Sequence, residues 1–268
     1  MKNLLGIYEK ALPIEVSWRE RFELAKKAGF DFIEVSVDKS RLNKLDWTDE
    51  EIKEMLDLAE EFGMPYHTLT LSANRYWPIG DNKLRDEGIK LIKKAIVLAK
   101  KMNIEIIQLA AYDVYGKEST EESARLYKEA LLEVLEFNKD YNIVLAIEVL
   151  EDCNLYNTSE KLVALIKDIN SPYLKEYADN GNLIYNGYDP VEDLKACKDE
   201  IVALHVKDAI FHNEHNIEYG HGEVDFEGVF KYLKEIDYQG ILVSECWYEE
   251  DFHPDLEYVN NFIRRYMQ

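Results

Sequence analysis

The 268-residue chain is 47% hydrophobic, which is enough for a sizeable core, and it carries a formal net charge of −21. This charge argues against nucleic acid as a partner, because phosphate backbones are bound by cationic surfaces. Its apolar runs are short, so the sequence predicts no transmembrane segment.

The amino terminus and the cysteines favour a cytoplasmic protein. Glu9 and Lys10 place charge where a signal peptide would continue its apolar stretch. Cys153, Cys197 and Cys246 are odd in number and lack C-x-x-C spacing, which favours reduced thiols over a disulfide framework. We therefore expect a cytoplasmic protein without disulfide bonds.

A strand, a loop and a helix recur about every 30 residues along the chain. No stretch has the composition of a linker, so we expect a single domain, residues 1–268. Runs of apolar and β-branched residues predict eight strands. In chain order they are Leu4–Tyr8, Phe32–Val35, Tyr66–Leu71, Glu105–Leu109, Ile143–Glu148, Leu174–Asp179, Ile201–His205 and Ile241–Glu245.

Helical patterns lie between these strands, and three of them begin with a capping box, a hydroxyl residue followed three positions later by a carboxylate. The boxes are Ser17 with Glu20, Thr48 with Glu51, and Ser119 with Glu122. Another helix follows Asp81, where apolar residues recur at the helical spacing. Further helices are expected near Thr158, Asp189, Asp225 and Pro254.

Eight strands that alternate with eight helices are typical of an α/β fold, the (β/α)8 TIM barrel. The alternative is an open, doubly wound sheet, which would bind its ligand where the strand order reverses. No G-x-G-x-x-G motif follows the first strand, so that alternative lacks its usual dinucleotide site. The pattern therefore favours the barrel.

Four consecutive predicted strands end in residues that can bind a metal: Glu148, Asp179, His205 and Glu245. In a parallel barrel all carboxyl ends open at one mouth, where active sites form. Three carboxylates and one imidazole suit a divalent ion such as Mn²⁺, Mg²⁺ or Zn²⁺. The alternative is that they are separate polar residues of a solvated rim. H-E-x-x-H, G-x-S-x-G and Walker motifs are absent.

Other residues near the predicted strand ends are candidates for substrate contacts, although each is equally compatible with a solvated loop. Lys207 follows His205 and could reach an anionic group. Gly220–Gly222 could offer backbone N–H groups to a phosphate just before the helix near Asp225. The remaining candidates are Glu9, Lys10 and Glu34 after the first two strands, and the loop Ser72–Trp77 with Arg75 after the third.

Several motifs together resemble one enzyme family, the L-ribulose-5-phosphate 3-epimerases (also called L-xylulose-5-phosphate 3-epimerases), within the xylose-isomerase-like barrel superfamily. The similarity runs almost end to end. The motifs are G-I-Y-E-K-A-L at 6–12, G-F-D-F-I-E-V-S-V-D at 29–38, L-S-A-N-R at 71–75, I-Q-L-A-A-Y-D-V-Y at 107–115, A-I-E at 146–148, D-N-G-N-L at 179–183, H-V-K-D at 205–208, G-H-G-E-V-D-F at 220–226 and S-E-C-W at 244–247.

The resemblance implies functional residues at specific positions. It places the metal ligands at Glu148, Asp179, His205 and Glu245, and the two acid–base carboxylates at Glu148 and Glu245. We expect substrate contacts from Glu9, Arg75, Asn182, Lys207 and His221. The chain departs from the family pattern at Asn74, where relatives usually carry His, and at His221, where they usually carry Glu. These departures bear on the identity of the sugar.

The resemblance implies a metal-dependent isomerase that moves the proton at carbon 3 of a ketopentose phosphate. We also expect a homo-oligomer (dimer). Competing hypotheses are an aldose–ketose isomerase of the hexulose-6-phosphate type, a free-ketose 3-epimerase, and a sugar-phosphate-binding module without turnover. A metal-dependent endonuclease on the same barrel would require a histidine-rich cluster and a basic groove, whereas this chain has six histidines and a net negative charge.

Overall fold

A computed structural model describes residues 1–268, and its eight strands form one closed barrel. Each strand pairs in parallel with the next, and the last pairs with the first. The strands are β1 (Leu5–Tyr8), β2 (Phe32–Ser36), β3 (Thr68–Thr70), β4 (Ile106–Ala110), β5 (Val144–Glu148), β6 (Leu174–Asp179), β7 (Ile201–Val206) and β8 (Ile241–Ser244). The predicted TIM barrel and its strand order are confirmed.

Helices surround the barrel, and none has the length and apolar character that crossing a membrane requires. They are α1 (Trp18–Ala28), α2 (Asp49–Phe62), α3 (Arg85–Lys101), α4 (Glu121–Asn138), α5 (Ser159–Ile169), α6 (Asn180–Tyr185), α7 (Pro190–Cys197), α8 (Phe226–Glu235) and α9 (Leu256–Met267). Helix α6 is additional to the eight expected helices. It begins directly after β6, where the Asp179 side chain accepts a hydrogen bond from Asn182 N at 2.7 Å.

Three short 3-10 helices occupy the loops that follow β1, β2 and β3. They span Glu9–Ala11, Lys39–Asp46 and Ser72–Tyr76. These loops lie side by side at the mouth of the barrel, because β1, β2 and β3 are neighbours in the ring.

Two of the three predicted capping boxes are confirmed, at Ser17 and Thr48. The third prediction is wrong by one residue, because Thr120 caps α4 and accepts a hydrogen bond from Ser123 N at 3.0 Å. The Ser119 hydroxyl instead donates to the Asp113 carboxylate at 2.7 Å. Ser119 thus lies one residue before the helix cap and is bonded within the preceding loop.

The barrel interior is packed with side chains and does not form a pore. A cluster of seven buried residues fills it: Tyr8, Phe32, Ile106, Ala146, Tyr177, Ala203 and Val243. Gly6 makes room for the Phe32 ring, since a Cβ at position 6 would lie only 2.3 Å from Phe32 Cζ. The larger hydrophobic cluster, of 69 buried residues, includes the apolar faces of the surrounding helices.

One buried carboxylate, Glu176 on β6, faces the helices instead of the barrel interior. The Ser159 hydroxyl lies in hydrogen-bonding contact with both the Glu176 and Asp193 carboxyl groups. A hydroxyl has only one proton and cannot donate to both. Burial raises the pKa of Glu176 to about 8, opposed by the Ser159 hydrogen bond and reinforced by the charge of Asp193. We therefore expect Glu176 to be largely protonated at neutral pH.

We predict that Glu176→Gln stabilises the protein at alkaline pH. Because the pKa of Glu176 is higher in the folded protein than the 4.5 of a solvated glutamate, folding favours the protonated acid. The parent should lose stability relative to the Gln variant as pH rises from about 4.5 through about 8, by up to several kcal/mol. Urea unfolding of both proteins between pH 5 and pH 9 measures this difference. The exposed substitution Glu54→Gln is the control. A difference that is constant with pH would contradict the prediction.

Candidate active site

Four side chains that can bind a metal converge at the mouth of the barrel. Glu148 and Asp179 are the last residues of β5 and β6, His205 is the penultimate residue of β7, and Glu245 follows β8 directly. One ligand atom from each lies within 4.8 Å of those from the other three, and all four residues are buried. The four residues predicted from strand ends are thus brought together.

Strand alternation explains why all four side chains point inward. Side chains two residues apart on a strand lie on the same face. The residues two positions before the four site residues all belong to the interior cluster: Ala146, Tyr177, Ala203 and Val243. Parallel pairing places Asp179 beside His205, and Glu245 N extends the β8 pairing by bonding to Val206 O at 3.0 Å.

His205 lies between two carboxylates inside the barrel. Its Nδ1 is 2.8 Å from Glu148 Oε1, and its Nε2 is 2.7 Å from Glu34 Oε1. Glu34 also accepts a hydrogen bond from the Tyr177 hydroxyl at 2.7 Å. Since a carboxylate only accepts hydrogen bonds, Glu34 holds the proton on Nε2 and turns Nδ1 toward the other carboxylates.

Glu34, a candidate substrate contact from its predicted place near the end of β2, lies within the strand and is fully buried. Its side chain contacts His205 and Tyr177 and does not line the mouth cavity. Strand alternation could have predicted this role, because it places the Glu34 side chain on the same inward face of β2 as Phe32.

The carboxylates and bases of the site shift each other's pKa values. Burial raises the pKa of Glu148 and of Asp179. Burial lowers the pKa of His205, but the charges of Glu245, Glu148 and Glu34 outweigh it and hold that pKa well above its usual value. Burial likewise opposes protonation of Lys207, yet the charges of Asp179, Glu214 and Glu245 raise its pKa well above the usual range.

The pKa of Glu245, unlike those of Glu148 and Asp179, is lowered. Burial alone would raise its pKa, but the charges of Lys207 and His205 lower it to about 2. The two bases therefore keep at least this carboxylate ionised within a buried cluster of acids.

The donor set fits a divalent metal ion. Asp179 Oδ2 and Glu245 Oε2 are buried oxygens without a hydrogen-bond partner, and they lie 3.7 and 3.8 Å from His205 Nδ1. Glu245 Oε2 is 2.9 Å from Lys207 Nζ, a contact that is an ion pair without hydrogen-bond geometry. Metal–ligand bonds of about 2.0–2.6 Å place ligand atoms on opposite sides of an ion about 4–5 Å apart, which matches this cluster.

A cavity of about 350 Å³ opens above the four residues, a size suited to a small ligand. Glu148 and Glu245 line it, together with Tyr8, Trp247 and Arg75. A larger cavity of about 540 Å³ lies on the outer face of α3. Its charged residues pair with each other there, Lys93 with Glu133 and Lys94 with Asp46, so it offers no comparable cluster.

Lys207 and Asn182 lie beside the cluster as buried residues. Lys207 Nζ is 2.7 Å from Asn182 Oδ1 and 2.6 Å from Glu214 Oε2. Asn182 Nδ2 donates to Glu148 Oε1 at 3.3 Å and to Val149 O at 3.1 Å. Neither residue lines the mouth cavity. Both hold the carboxylates in place.

Three other expected contacts lie away from the cavity. The Glu9 carboxylate is buried and contacts the side chains of Lys44, Arg21 and Arg41. The His221 side chain is 69% exposed and lines a separate cavity beside α9. The N–H groups of Gly220 and Gly222 donate to Asp208 Oδ2 at 2.7 and 2.9 Å, so they are not free for a phosphate as the sequence suggested.

Asn74, which departs from the family pattern, does not line the cavity either. Its amide forms a pair of hydrogen bonds with the backbone of Ala110, accepting from the N–H at 3.1 Å and donating to the carbonyl at 3.4 Å. Asn74 thus joins the loop after β3 to the end of β4. Its effect on the sugar is at most indirect.

Comparison with known proteins identifies the family. The family model described as xylose isomerase-like TIM barrel matches residues 22–265. L-ribulose-5-phosphate 3-epimerase UlaE of Escherichia coli (strain SMS-3-5 / SECEC) is 39% identical over 257 residues, which cover 94% of this chain and 90% of that protein. UlaE of Escherichia fergusonii is also 39% identical, with the same coverage.

The chain belongs to the xylose isomerase-like TIM barrel family, and within it to the L-ribulose-5-phosphate 3-epimerases. Solved structures share the fold at lower identity. An L-ribulose 3-epimerase has a TM-score of 0.83 at 18% identity, covering 100% of this chain and 93% of that one. Escherichia coli YcjR, a 3-keto-D-glucoside 4-epimerase, has a TM-score of 0.78 at 20% identity, covering 99% of each chain.

We predict that Glu34→Gln weakens divalent-metal binding without unfolding the barrel. Gln has nearly the same shape but lacks the charge that fixes the His205 tautomer. Removing a hydrogen-bond partner of a metal-binding residue typically costs about tenfold to a hundredfold in metal affinity. Isothermal titration with Mn²⁺ measures the change.

The matched control is Glu176→Gln, another buried glutamate on a barrel strand, which contacts Ser159 and not His205. This variant should keep the parent affinity. A folded Glu34→Gln protein that binds Mn²⁺ as tightly as the parent would remove Glu34 from this role.

Proposed function

We propose that this chain interconverts L-ribulose 5-phosphate and L-xylulose 5-phosphate by moving the proton at carbon 3. The proposal rests first on its relatives, which carry the name L-ribulose-5-phosphate 3-epimerase at 39% identity over 94% of the chain. The observation that carries the chemistry is the buried cluster of Glu148, Asp179, His205 and Glu245 below a cavity of about 350 Å³.

In this proposal Glu148, Asp179, His205 and Glu245 hold a divalent ion, Mn²⁺, Zn²⁺ or Mg²⁺. When bound, such an ion would act as a Lewis acid that stabilises the negative charge developing on the carbonyl oxygen at carbon 2. Support for a metal comes from the two buried oxygens without hydrogen-bond partners, Asp179 Oδ2 and Glu245 Oε2.

Epimerisation requires one acid–base group on each face of carbon 3. We assign these roles to Glu148 and Glu245, which both line the cavity. They come from β5 and β8, the two ends of the arc of strands that supplies the cluster, whereas Asp179 and His205 lie between them. One carboxylate removes the carbon-3 proton, and the other delivers a proton to the opposite face.

Lys207 and Asn182 support these carboxylates in our proposal. Lys207 pairs with Glu245, and Asn182 donates to Glu148, so each acid–base group has its own polar neighbour. Gln108 also lies in hydrogen-bonding contact with Glu148. These contacts restrict the rotation of both carboxylates.

We further propose that residues 1–268 act as one domain, in the cytoplasm and as a homodimer. The cysteines Cys153, Cys197 and Cys246 are all buried and unpaired, which suits a reducing compartment. Light scattering during size-exclusion chromatography tests the dimer.

The direct test supplies L-ribulose 5-phosphate to the purified protein with Mn²⁺, Zn²⁺ or Mg²⁺, and identifies the product by NMR. Appearance of L-xylulose 5-phosphate, abolished by chelation, supports the proposal. An aldose product with exchange at carbons 1 and 2 would indicate the aldose–ketose isomerase. Turnover of free ketoses alone would indicate the free-ketose epimerase, and binding without any product would indicate a binding module.

We predict that Glu148→Gln and Glu245→Gln each reduce net epimerisation by at least about a hundredfold, since one acid–base group typically contributes about 10²–10⁴-fold. A single remaining carboxylate can still remove and return a proton on its own face. In D₂O, one variant should therefore introduce deuterium at carbon 3 of L-ribulose 5-phosphate without forming the epimer. The other variant should do the same with L-xylulose 5-phosphate.

Metal content must be measured beside the exchange, because loss of the ion would imitate loss of a base. Gln is chosen because its carbonyl oxygen remains a possible ligand while its basicity is lost. If either variant keeps its metal and epimerises near the parent rate, the assignment of two carboxylates is wrong.

A further inference from the structure

The loop after β7, residues 207–225, is firmly anchored in its second half. Asp208 binds two N–H groups of this half, as described above. The Tyr219 side chain is buried, and its hydroxyl lies 2.6 Å from Val206 O and 2.8 Å from Ser244 Oγ. These contacts join the second half of the loop to the ends of β7 and β8.

The tip of the same loop, residues 210–216, reaches the mouth cavity through two side chains, Glu214 and His215. The residues on either side of them, His212 and Asn216, have φ angles of 59° and 58°. Such left-handed conformations are uncommon for residues other than glycine and persist where surrounding contacts hold them. The contacts of Glu214 and His215 therefore help to fix the position of the tip.

Glu214 covers the Lys207 ammonium. Its Oε2 is 2.6 Å from Lys207 Nζ, and its side chain is 10% exposed. The same ammonium is 2.9 Å from Glu245 Oε2 and 5.1 Å from the centre of the Trp247 ring. Glu214 and Trp247 line the cavity, whereas Lys207 does not. The two lining side chains thus separate the ammonium, and the Glu245 oxygen that it contacts, from the cavity.

His215 holds the Trp247 ring. The two rings are stacked, with centroids 4.2 Å apart and an angle of 20° between their planes. His215 Nδ1 is 3.1 Å from Glu249 Oε1, and since a carboxylate only accepts hydrogen bonds, Nδ1 carries the proton. His215 and Glu249 are 48% and 38% exposed, so this contact is weak enough to open and close during a reaction cycle.

We propose that Glu214 and His215 form a latch that keeps water from Glu245 during proton transfer. Glu214 acts through Lys207. His215 acts through the Trp247 ring. Both are therefore positioning residues and not acid–base groups.

The inference rests on the proposed function, in which Glu245 removes the carbon-3 proton of one of the two epimers. The carboxyl group then holds this proton until it returns to carbon 3 on the same face, or until Glu148 delivers another proton to the opposite face. Water that reached Glu245 in this interval would exchange the proton with solvent. The latch prevents that exchange.

The first experiment follows deuterium at carbon 3 in D₂O for the metal-loaded parent and His215→Ala, starting from each epimer. It measures deuterium in the remaining sugar relative to the epimer formed. Return of the abstracted proton leaves the sugar unlabelled, so a shielded base gives a low ratio. We expect His215→Ala to raise this ratio about twofold to tenfold, the change in an open–closed equilibrium that loss of one aromatic contact produces. The rise should occur only from the epimer whose proton Glu245 removes.

The matched control is His253→Ala. His253 also stacks on an aromatic ring after β8, that of Tyr248, with centroids 4.2 Å apart, but it does not line the mouth cavity. Its removal should leave the ratio unchanged. His215→Phe keeps a ring that can stack on Trp247 and should restore most of the shielding. An unchanged ratio in His215→Ala, an equal rise from both epimers, or an equal rise in His253→Ala would overturn the proposal.

The second experiment does not depend on turnover. In protein labelled with 5-fluorotryptophan, the difference in ¹⁹F chemical shift between H₂O and D₂O reports the exposure of each ring to water, and Trp247→Phe assigns the signal. We expect a larger difference at Trp247 in His215→Ala than in the parent or His253→Ala, and no change there would refute the latch. If the parent epimerises neither sugar, the proposed function fails, and this measurement alone decides whether His215 covers Trp247.

Discussion

The site depends on how the repulsion between buried carboxylates is offset. Two like charges about 4 Å apart repel by about 4 kcal/mol even at an effective dielectric constant of about 20, and a whole domain is stable by only about 5–15 kcal/mol. His205 and Lys207 together contact five carboxylates: Glu34, Glu148, Asp179, Glu214 and Glu245. Two bases cannot neutralise five acids. A divalent cation would offset two of the three negative charges that remain.

The barrel makes this concentration of charge possible because its backbone is rigid and its interior is packed. Phe32 lies against Gly6, and Tyr177 joins the interior packing to the site through its hydrogen bond to Glu34. The position of His205 is thus set by side chains from β2 and β6 as well as by its own strand. Glu34, Glu148 and Asp179 lie on strands and Glu245 directly follows one, so the barrel itself sets the spacing of these four acids.

The fold and the four clustered residues could be predicted from the sequence. The periodic pattern of apolar residues indicates where each strand runs and ends, and the four residues lie at those ends. The contacts that sequence reasoning missed join residues whose separation follows neither the helix nor the strand period. Asp208 binds N–H groups that lie 12 and 14 residues later, and Ser119 is drawn from its capping position by Asp113. Glu9 follows β1 as expected, but its partners Arg21 and Lys44 come from α1 and the second 3-10 helix. No periodicity encodes such pairings.

Charge is unevenly distributed around the mouth of the barrel. On the β5–β8 side acids outnumber the bases that contact them, and on the β1–β2 side four cations share Glu9 and Asp38. Either imbalance alone would lower stability through self-repulsion. Because residues of both sets line one cavity, they create an electric field along it. That field would orient a substrate whose two ends differ in charge, as the sugar phosphate of our proposed function does.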